Sequence, residues 1–130
     1  MKKKNNNTII YVCICIVIVI AIGVIIGIYS YNNPKIDDRF SYEVKKEQII
    51  DDKYYIEGTV KSNSLKEFNV VTIEFNCYDK DNNKIGIISD EITHLESEGT
   101  WDFNATGNID ANKVDHCDVT RLFAGENNNN

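Results

Sequence analysis

The chain has few of the residues from which metal sites and catalytic sites are usually built. It contains two histidines, His94 and His116, and only His116, beside Cys117, has a possible second ligand close by. Adjacent residues of a strand point to opposite faces, so this pair does not predict a metal site. No GxSxG, Walker, HExxH or paired-carboxylate pattern is present. The sequence therefore predicts no catalytic residue, no metal site and no cofactor, and we expect a protein that is not an enzyme.

Basic residues are scarce beyond the first few positions. Three of the 14 Lys and Arg residues are Lys2, Lys3 and Lys4, and the other 11 follow residue 31 together with all 20 acidic residues. The part of the chain after residue 31 therefore carries a formal charge of −9. Such a surface repels nucleic acid and anionic lipid headgroups, so neither is expected as a partner of this part.

One long apolar run determines the expected location. Residues 9–31 contain no charged residue, and a helix of this length spans the hydrocarbon core of a bilayer, which is about 30 Å thick. A cleaved signal peptide has a shorter apolar region and a small-x-small cleavage site, which is absent here. The lysines before the run favour a cytoplasmic N-terminus. We expect a single-pass protein of the cell membrane with its C-terminal domain outside the cytoplasm.

Within the apolar run, Gly23 and Gly27 form a GxxxG pair. Two glycines four residues apart lie on one helix face and allow a second helix to approach closely. This pattern predicts a possible homodimer through the transmembrane helix. The alternative is that glycine is simply common in membrane helices.

The remaining chain divides by composition. Residues 1–8 are expected in the cytoplasm, and residues 32–40, which hold the only proline, are expected to form a linker. Residues 41–125 are long enough for one domain with a single modest core. Residues 126–130 are a polar tail that we expect to be disordered.

Apolar and polar residues alternate through most of the predicted domain. Residues 54–61 and 71–78 alternate with period two, which is typical of strands with one buried face. Residues 70–92 are expected to form a hairpin, and residues 113–123 a last strand. Trp101 and Phe103 are expected to share one face. The sequence predicts a mainly β domain of about five to seven short strands, arranged as an antiparallel β-sandwich.

The first strand of the domain is the least regular. Residues 41–50 predict an edge strand with Tyr42 and Val44 facing inward. Residues 45–48 break the alternation, and a helix is the alternative there.

A family resemblance begins at residues 75–79, which read FNCYD. This segment resembles the signature of the FxLYD domain, with Cys77 at the leucine position. Upstream, residues 58–60 read GTV and resemble the G-x-V strand of that family. Downstream, residues 79–86 resemble its hairpin, with Asn83 where the family has glycine.

A later segment extends the resemblance, which covers about residues 54–123. Residues 95–103 are similar to the family's L-x-P-G-x-x-x-F turn and strand, with Glu98 in place of proline. The resemblance implies an immunoglobulin-like sandwich displayed outside the membrane of a prokaryote on a helix or lipid anchor. It implies no enzymatic role, and it assigns no site residues.

Cys77 and Cys117 are the only cysteines outside the apolar run. Both lie on predicted inward faces, and an extracytoplasmic location permits a disulfide between them. Closing a loop of about 41 residues would contribute about 4 kcal/mol in the chain-entropy model. The alternative is a pair of buried free thiols.

Three weaker signals remain. Asp79, Asp81 and Asn83 have the spacing that opens a calcium loop, but the required glycine is absent, and a polar hairpin turn is the better interpretation. Residues 104–106 form an N-glycosylation sequon. Outward aromatic residues such as Tyr55 and Tyr78 are candidate contacts for a partner.

We therefore expect a non-catalytic module that binds an unknown protein or envelope component, or that serves as an accessory subunit of a membrane complex. The alternative from another class is an envelope enzyme or a solute-binding protein. That function would need a pocket with convergent polar groups.

Overall fold

The structure is a computed structural model that describes Ile18, Ile20 and residues 33–125. The chain divides into two units, Met1–Asn33 and Pro34–Asn130. In the first unit, Ile18 and Ile20 are helical and their side chains are exposed. The second unit contains both of the sheets found in the described residues.

Several sequence predictions lie outside the described residues. They include the predicted transmembrane helix at residues 9–31, apart from Ile18 and Ile20, its Gly23 and Gly27 pair, and the tail at residues 126–130. In the part of the chain that the structure describes, no helix is long and apolar enough to cross a bilayer.

The described part of the second unit, up to residue 125, contains seven strands and one short 3₁₀ helix. In chain order these elements are β1 (Lys35–Ile36), β2 (Phe40–Ile50), β3 (Lys53–Ser62), β4 (Val71–Tyr78), β5 (Lys84–Ile92), β6 (Thr100–Ala105), the 3₁₀ helix (Ala111–Lys113) and β7 (His116–Ala124). The strands form a four-stranded sheet in the order β1-β7-β4-β5 and a three-stranded sheet in the order β2-β3-β6. The prediction of a mainly β fold with two sheets is confirmed.

All neighbouring strands are antiparallel except β1 and β7. β1 runs parallel to β7, with Lys35 opposite Arg121 and Ile36 opposite Leu122. The backbone N–H of Asp37 then donates to the carbonyl of Leu122 at 2.8 Å. This short parallel pair lies in the segment that the sequence predicts as a linker.

The core is built by strict alternation in β3, β4 and β6. Every second residue of these strands is buried, because period two places one side chain in two on the inner face. Phe75 of β4 and Phe103 of β6 meet between the sheets with ring centroids 5.8 Å apart, and Trp101 packs edge-on against Phe103. The predictions of alternation in β3 and β4, and of a shared face for Trp101 and Phe103, are therefore confirmed.

Two hairpin turns use residues with positive φ. The turn between β2 and β3 consists of Asp51 and Asp52, with φ of 49° and 61°. Aspartate tolerates this left-handed region better than most residues, and two such residues in a row suit a tight hairpin. Between β4 and β5, the backbone N–H groups of Asp81 and Asn83 both donate to Oδ1 of Asp79 at 2.9 Å. The predicted hairpin is confirmed.

The edge strand predicted at residues 41–50 is confirmed as β2, and the structure decides two of its details. Residues 45–48 are strand and not helix, because a β-bulge between Val44 and Lys46 absorbs the break in alternation. Tyr42 stands opposite the buried Val60, so it lies on the core side of its sheet. However, Tyr42 is 39% exposed and Val44 is 40% exposed. Both residues face the core side as predicted, Val44 standing opposite the buried Gly58, but the opposite sheet leaves a large part of each side chain exposed.

The physical reason for this exposure is the shape of the opposite sheet. β2 is the edge of the three-stranded sheet, and the four-stranded sheet ends on that side in β1, which has two residues. Such a short strand cannot cover an 11-residue strand. We call the side of the sandwich formed by β2, β1 and residues 116–120 of β7 the open flank.

The opposite side, formed by β5 and β6, is the closed flank. There the backbone N–H of Asn104 donates to Oδ2 of Asp90 at 2.7 Å. Ser89 and Thr106 exchange two backbone hydrogen bonds of 3.1 Å. These bonds join one sheet to the other along this side.

Candidate binding surface

The outer face of the four-stranded sheet gathers side chains from three strands. We call this surface the outer face, and its members alternate with the buried residues of the same strands. They are Thr72, Glu74, Asn76 and Tyr78 of β4, Ile87, Ser89 and Glu91 of β5, and His116, Asp118, Arg121 and Phe123 of β7.

Tyr78 and His116 form a stacked pair at one end of the outer face. They are register partners on β4 and β7, with ring centroids 5.1 Å apart and planes inclined by 18°. Nδ1 of His116 lies 2.9 Å from a carboxylate oxygen of Asp115, and Nε2 lies 4.0 Å from Asp118. The Asp115 carboxylate beside Nδ1 orients the imidazole ring next to the phenol ring, so the two rings form one aromatic unit at the surface.

Arg121 and Phe123 form a second unit towards the other end. The Arg121 guanidinium lies 4.4 Å from the centre of the Phe123 ring, and Nη1 of Arg121 donates to Oε2 of Glu74 at 3.4 Å. A cation over an aromatic face is favourable and holds the arginine in place. Ile87, which is 48% exposed, adds an apolar group from β5. The outer face therefore combines aromatic, cationic and apolar contacts.

The outer surface of the three-stranded sheet is different in character. Its tyrosine, Tyr55, stands opposite Gln48, whose Nε2 donates to Oε1 of Glu57 at 2.7 Å. Lys45 lies 3.9 Å from the carboxylate of Asp102. This surface is a network of paired charges and amides. Because Tyr55 and Tyr78 lie on different sheets, the two candidate contacts do not form one site.

Cys77 and Cys117 face each other across β4 and β7. Their sulfurs are 2.03 Å apart and their Cα atoms 4.1 Å apart, so the structure contains a disulfide within one sheet. Tyr78 and His116 are the next residues on the same two strands. The bond therefore fastens the two strands where they carry the stacked rings.

Most of the remaining sequence candidates have structural roles. The oxygens of Asp79 accept hydrogen bonds inside its own turn, and the backbone N–H of Asn83 is the main reason that the pKa of Asp79 lies below its ordinary value. In residues 33–125, no group of three or more His, Cys, Asp and Glu side chains could hold a metal ion. Asn104 of the sequon is exposed on β6, and Oγ1 of Thr106 donates to the carbonyl of Tyr54 at 3.1 Å.

One buried tyrosine has a strongly shifted pKa. The hydroxyl of Tyr54 donates to Oε2 of Glu47 at 2.6 Å. Burial, followed by this hydrogen bond, raises the pKa of Tyr54 above its ordinary value. Tyr54 is therefore a protonated donor at neutral pH that anchors Glu47 on the open flank. Among the described residues, no buried side-chain nitrogen or oxygen lacks a hydrogen-bond partner.

Reasoning from the sequence found Tyr78 and missed its partner His116. A signal was nonetheless present. If Cys77 and Cys117 are paired across antiparallel strands, residues 78 and 116 must be paired as well, because register numbers change in opposite directions. Counting one residue along each strand from the predicted Cys77–Cys117 pair would therefore have predicted that the rings of Tyr78 and His116 lie side by side.

Comparisons with known proteins place the chain only loosely. No family model matches it, and no curated protein matches it. Among solved structures, it is similar to the crystal structure of a DUF1425 family member from Shewanella sp. pv-4, with 17% sequence identity and a TM-score of 0.47. The match covers 70% of this chain and 81% of that chain. A likeness this weak carries no argument, so the architecture rests on the strand order and register of this chain.

Proposed function

We propose that this chain is a non-catalytic β-sandwich module that is anchored in the cell membrane and binds a protein or envelope partner through the outer face. The observation that carries the proposal is the clustering of two aromatic units and an exposed isoleucine on one sheet. Tyrosine and arginine are enriched where proteins bind one another, because they contribute large contact areas with a polar end. The outer surface of the three-stranded sheet, with its paired charges, lacks this combination.

The strand order supports an immunoglobulin-like arrangement as the finer description of the fold. In that arrangement strands A, B and E share one sheet, and strands C, F and G share the other. Here β2, β3 and β6 correspond to A, B and E, while β4 and β7 correspond to C and F. β1 takes the position of G beside β7, although it runs parallel. The disulfide joins the C and F positions within a sheet, whereas antibody domains join B and F between sheets.

A relation to the FxLYD domain is likewise part of the proposal. Phe75 and Cys77 are buried, Tyr78 faces outward, and Asp79 holds the following turn. In this chain, two of the five signature residues pack in the core and one shapes the turn.

Membrane anchoring is proposed from the uncharged run at residues 9–31 and the lysines that precede it. The domain would then lie outside the cytoplasm. Protease added to intact spheroplasts should remove the domain and leave a short membrane-bound fragment. Cleavage seen only after the membrane is permeabilised would contradict this orientation.

The binding role can be tested in cells with the full chain. A photo-crosslinking amino acid at Ile87 should capture a discrete partner, and Tyr78→Ala combined with His116→Ala should reduce that adduct at least tenfold. The matched control places the same crosslinker at Thr59, on the outer surface of the other sheet. Equal adducts from both positions, or an adduct that does not depend on Tyr78 and His116, would contradict a binding outer face.

A further inference from the structure

Exposed apolar side chains are concentrated on β2. Within residues 33–125, six large apolar residues are exposed, and four of them lie on this strand: Tyr42, Val44, Ile49 and Ile50. β2 is also the longest strand of the described chain, with 11 residues, and one of its edges pairs with β3 while the other has no partner strand. A long edge strand with exposed apolar side chains is a template for pairing with another strand.

We propose that β2 pairs antiparallel with β2 of a second copy of this chain. The two three-stranded sheets would then form one continuous six-stranded sheet around a two-fold axis. This inference is independent of the function proposed for the outer face, because that face belongs to the other sheet.

Charge is the first argument for a second copy as the occupant. The part of the chain after residue 31 carries a charge of −9, so two copies repel each other over most of their surfaces. β2 is an exception, because Glu43 and Glu47 are balanced there by Lys45 and Lys46. On this strand, like-charge repulsion does not oppose an approach, and antiparallel pairing can set acid against base.

The bulge at Lys45 restricts the possible registers. Before the bulge, Phe40 and Tyr42 lie on the core side, opposite Ser62 and Val60, and after it Ile49 lies on the core side, opposite Tyr54. The core-side residues therefore have even numbers in the first half of β2 and odd numbers in the second. In a two-fold antiparallel pairing, core-side residues of one copy should stand opposite core-side residues of the other. An even-numbered residue must therefore stand opposite an odd-numbered one.

One of these registers also satisfies the charges. It sets Glu43 opposite Lys46 of the second copy, and by symmetry this contact occurs twice. The same register sets Phe40 opposite Ile49 on the core side and Ser41 opposite Gln48 on the other. The neighbouring register in one direction sets Lys45 opposite Lys46, and like charges directly opposite are destabilising. The neighbouring register in the other direction places no lysine opposite Glu43.

The proposed pairing is limited to two copies, because the two-fold contact uses the β2 edge of both. The other edge of the three-stranded sheet is β6, where Oδ2 of Asp90 accepts a hydrogen bond from the backbone N–H of Asn104, and Ser89 and Thr106 exchange two backbone hydrogen bonds. The end of this edge at Asn104 and Thr106 is therefore already bonded within the chain. Bulges and lysines commonly discourage pairing of an edge strand with other chains, and the register that sets Lys46 opposite Glu43 offsets the lysine charge. A closed dimer with one isologous interface is the expected product.

The first test measures association of the full chain, purified in detergent, by sedimentation equilibrium. We expect a dimer, and we expect Glu43→Lys or Lys46→Glu to weaken dimerisation at least tenfold. The double variant Glu43→Lys/Lys46→Glu should recover at least part of the affinity. The matched control is Lys61→Glu, which makes the same charge change on the neighbouring strand and should leave the affinity unchanged. Circular dichroism of each variant verifies that it is folded.

Association through Gly23 and Gly27 is separated by repeating the series with both glycines replaced by isoleucine, in which the β2 effects should persist. A monomer at about 100 µM, or a dimer that ignores all changes at Glu43 and Lys46, would overturn the proposal.

A second test reads the register directly. Ser41→Cys and Gln48→Cys chains should form an intermolecular disulfide when they are mixed, and each chain alone should form far less. If either variant crosslinks as well alone as in the mixture, or if the mixture forms no intermolecular disulfide, the proposed register is wrong.

Discussion

On the closed flank, hydrogen bonds cross from one sheet to the other. On the open flank, the edge strand of one sheet is much longer than the edge strand of the other. Asp90 reaches from β5 to the backbone of Asn104 and completes that side of the sandwich. On the open flank, β2 has 11 residues and faces a strand of two residues. One side of the sandwich is thus closed by hydrogen bonds within the chain, and the other side leaves part of its core-side surface exposed to solvent.

The cause of this difference lies in the residues on either side of β1. Pro34 has no backbone N–H, so it cannot donate to β7 and extend the parallel pair towards the N-terminus. After β1, Asp37 and Arg39 form a bidentate ion pair, and the Arg39 guanidinium lies 4.9 Å from the ring centre of Phe68. These contacts turn the chain into β2. The length of β1, and with it the exposure of β2, is therefore set by local chemistry at both ends.

The largest expected effect contrasts the packed core with the open flank. Phe103→Ala should lower the free energy of unfolding by about 3–5 kcal/mol, because it leaves a cavity beside Phe75 and Trp101. Tyr42→Ala should cost the monomer less than about 1 kcal/mol, because Tyr42 is already 39% exposed. Urea unfolding of both variants gives the two values. Equal losses would contradict the distinction between the two regions.

Removal of the disulfide should have the next largest effect. The bond between Cys77 and Cys117 has a sequence separation of 40, and disulfides typically contribute about 2–4 kcal/mol to stability. Urea unfolding with and without a thiol reductant measures the loss. The variant Cys77→Ala/Cys117→Ala is the control, and reductant should not change its stability. A protein that is equally stable when reduced would argue against this account of the bond.

The closed flank can be weakened at a single carboxylate. Asp90→Ala removes the acceptor for the backbone N–H groups of Glu91 at 2.8 Å and Asn104 at 2.7 Å, and should cost about 1–3 kcal/mol. Glu91→Ala is the matched control, since that side chain accepts one exposed hydrogen bond from Thr72 at 3.2 Å. It should cost less than about 0.5 kcal/mol. If the two variants behave alike, Asp90 does not fasten the flank.

The smallest expected effect is the pH dependence of the turn between β4 and β5. The pKa of Asp79 in the folded protein lies below its ordinary value of 3.8, chiefly because the backbone N–H of Asn83 donates to it. Its stabilising contribution is therefore complete above pH 3.8 and is lost as the pH falls below that value towards the folded pKa. Thermal unfolding between about pH 2 and pH 6 should show a shallower acid loss in Asp79→Asn than in the unaltered chain. Identical profiles would remove Asp79 from the explanation.

The parts of the fold that follow from local pattern could be predicted from the sequence. Alternation in β3 and β4 determined which side chains face the core, and the polar residues after Tyr78 indicated a hairpin. Both depend on neighbours in the chain. In contrast, Phe40 and Ile36 lie among polar residues, and their burial arises only when β7 and the loop around Phe68 are in place.

The candidate surface and the exposure of β2 depend on relations between distant strands. Tyr78 is outward by alternation, but its contact with His116 requires the register of β4 against β7. Tyr42 is correctly placed on the core side of its sheet, yet its burial depends on how far the opposite sheet extends. A period-two pattern reports a face and carries no information about what covers it.

The central claim is that β2 is the side that this chain leaves open and that a second copy covers. Hydrogen exchange of the full chain at two concentrations, one below and one well above the dimerisation constant, tests it most directly. We predict that residues 40–50 gain protection only at the higher concentration, while residues 100–105 of β6 are equally protected at both. Exchange in residues 40–50 that does not depend on concentration would contradict the claim.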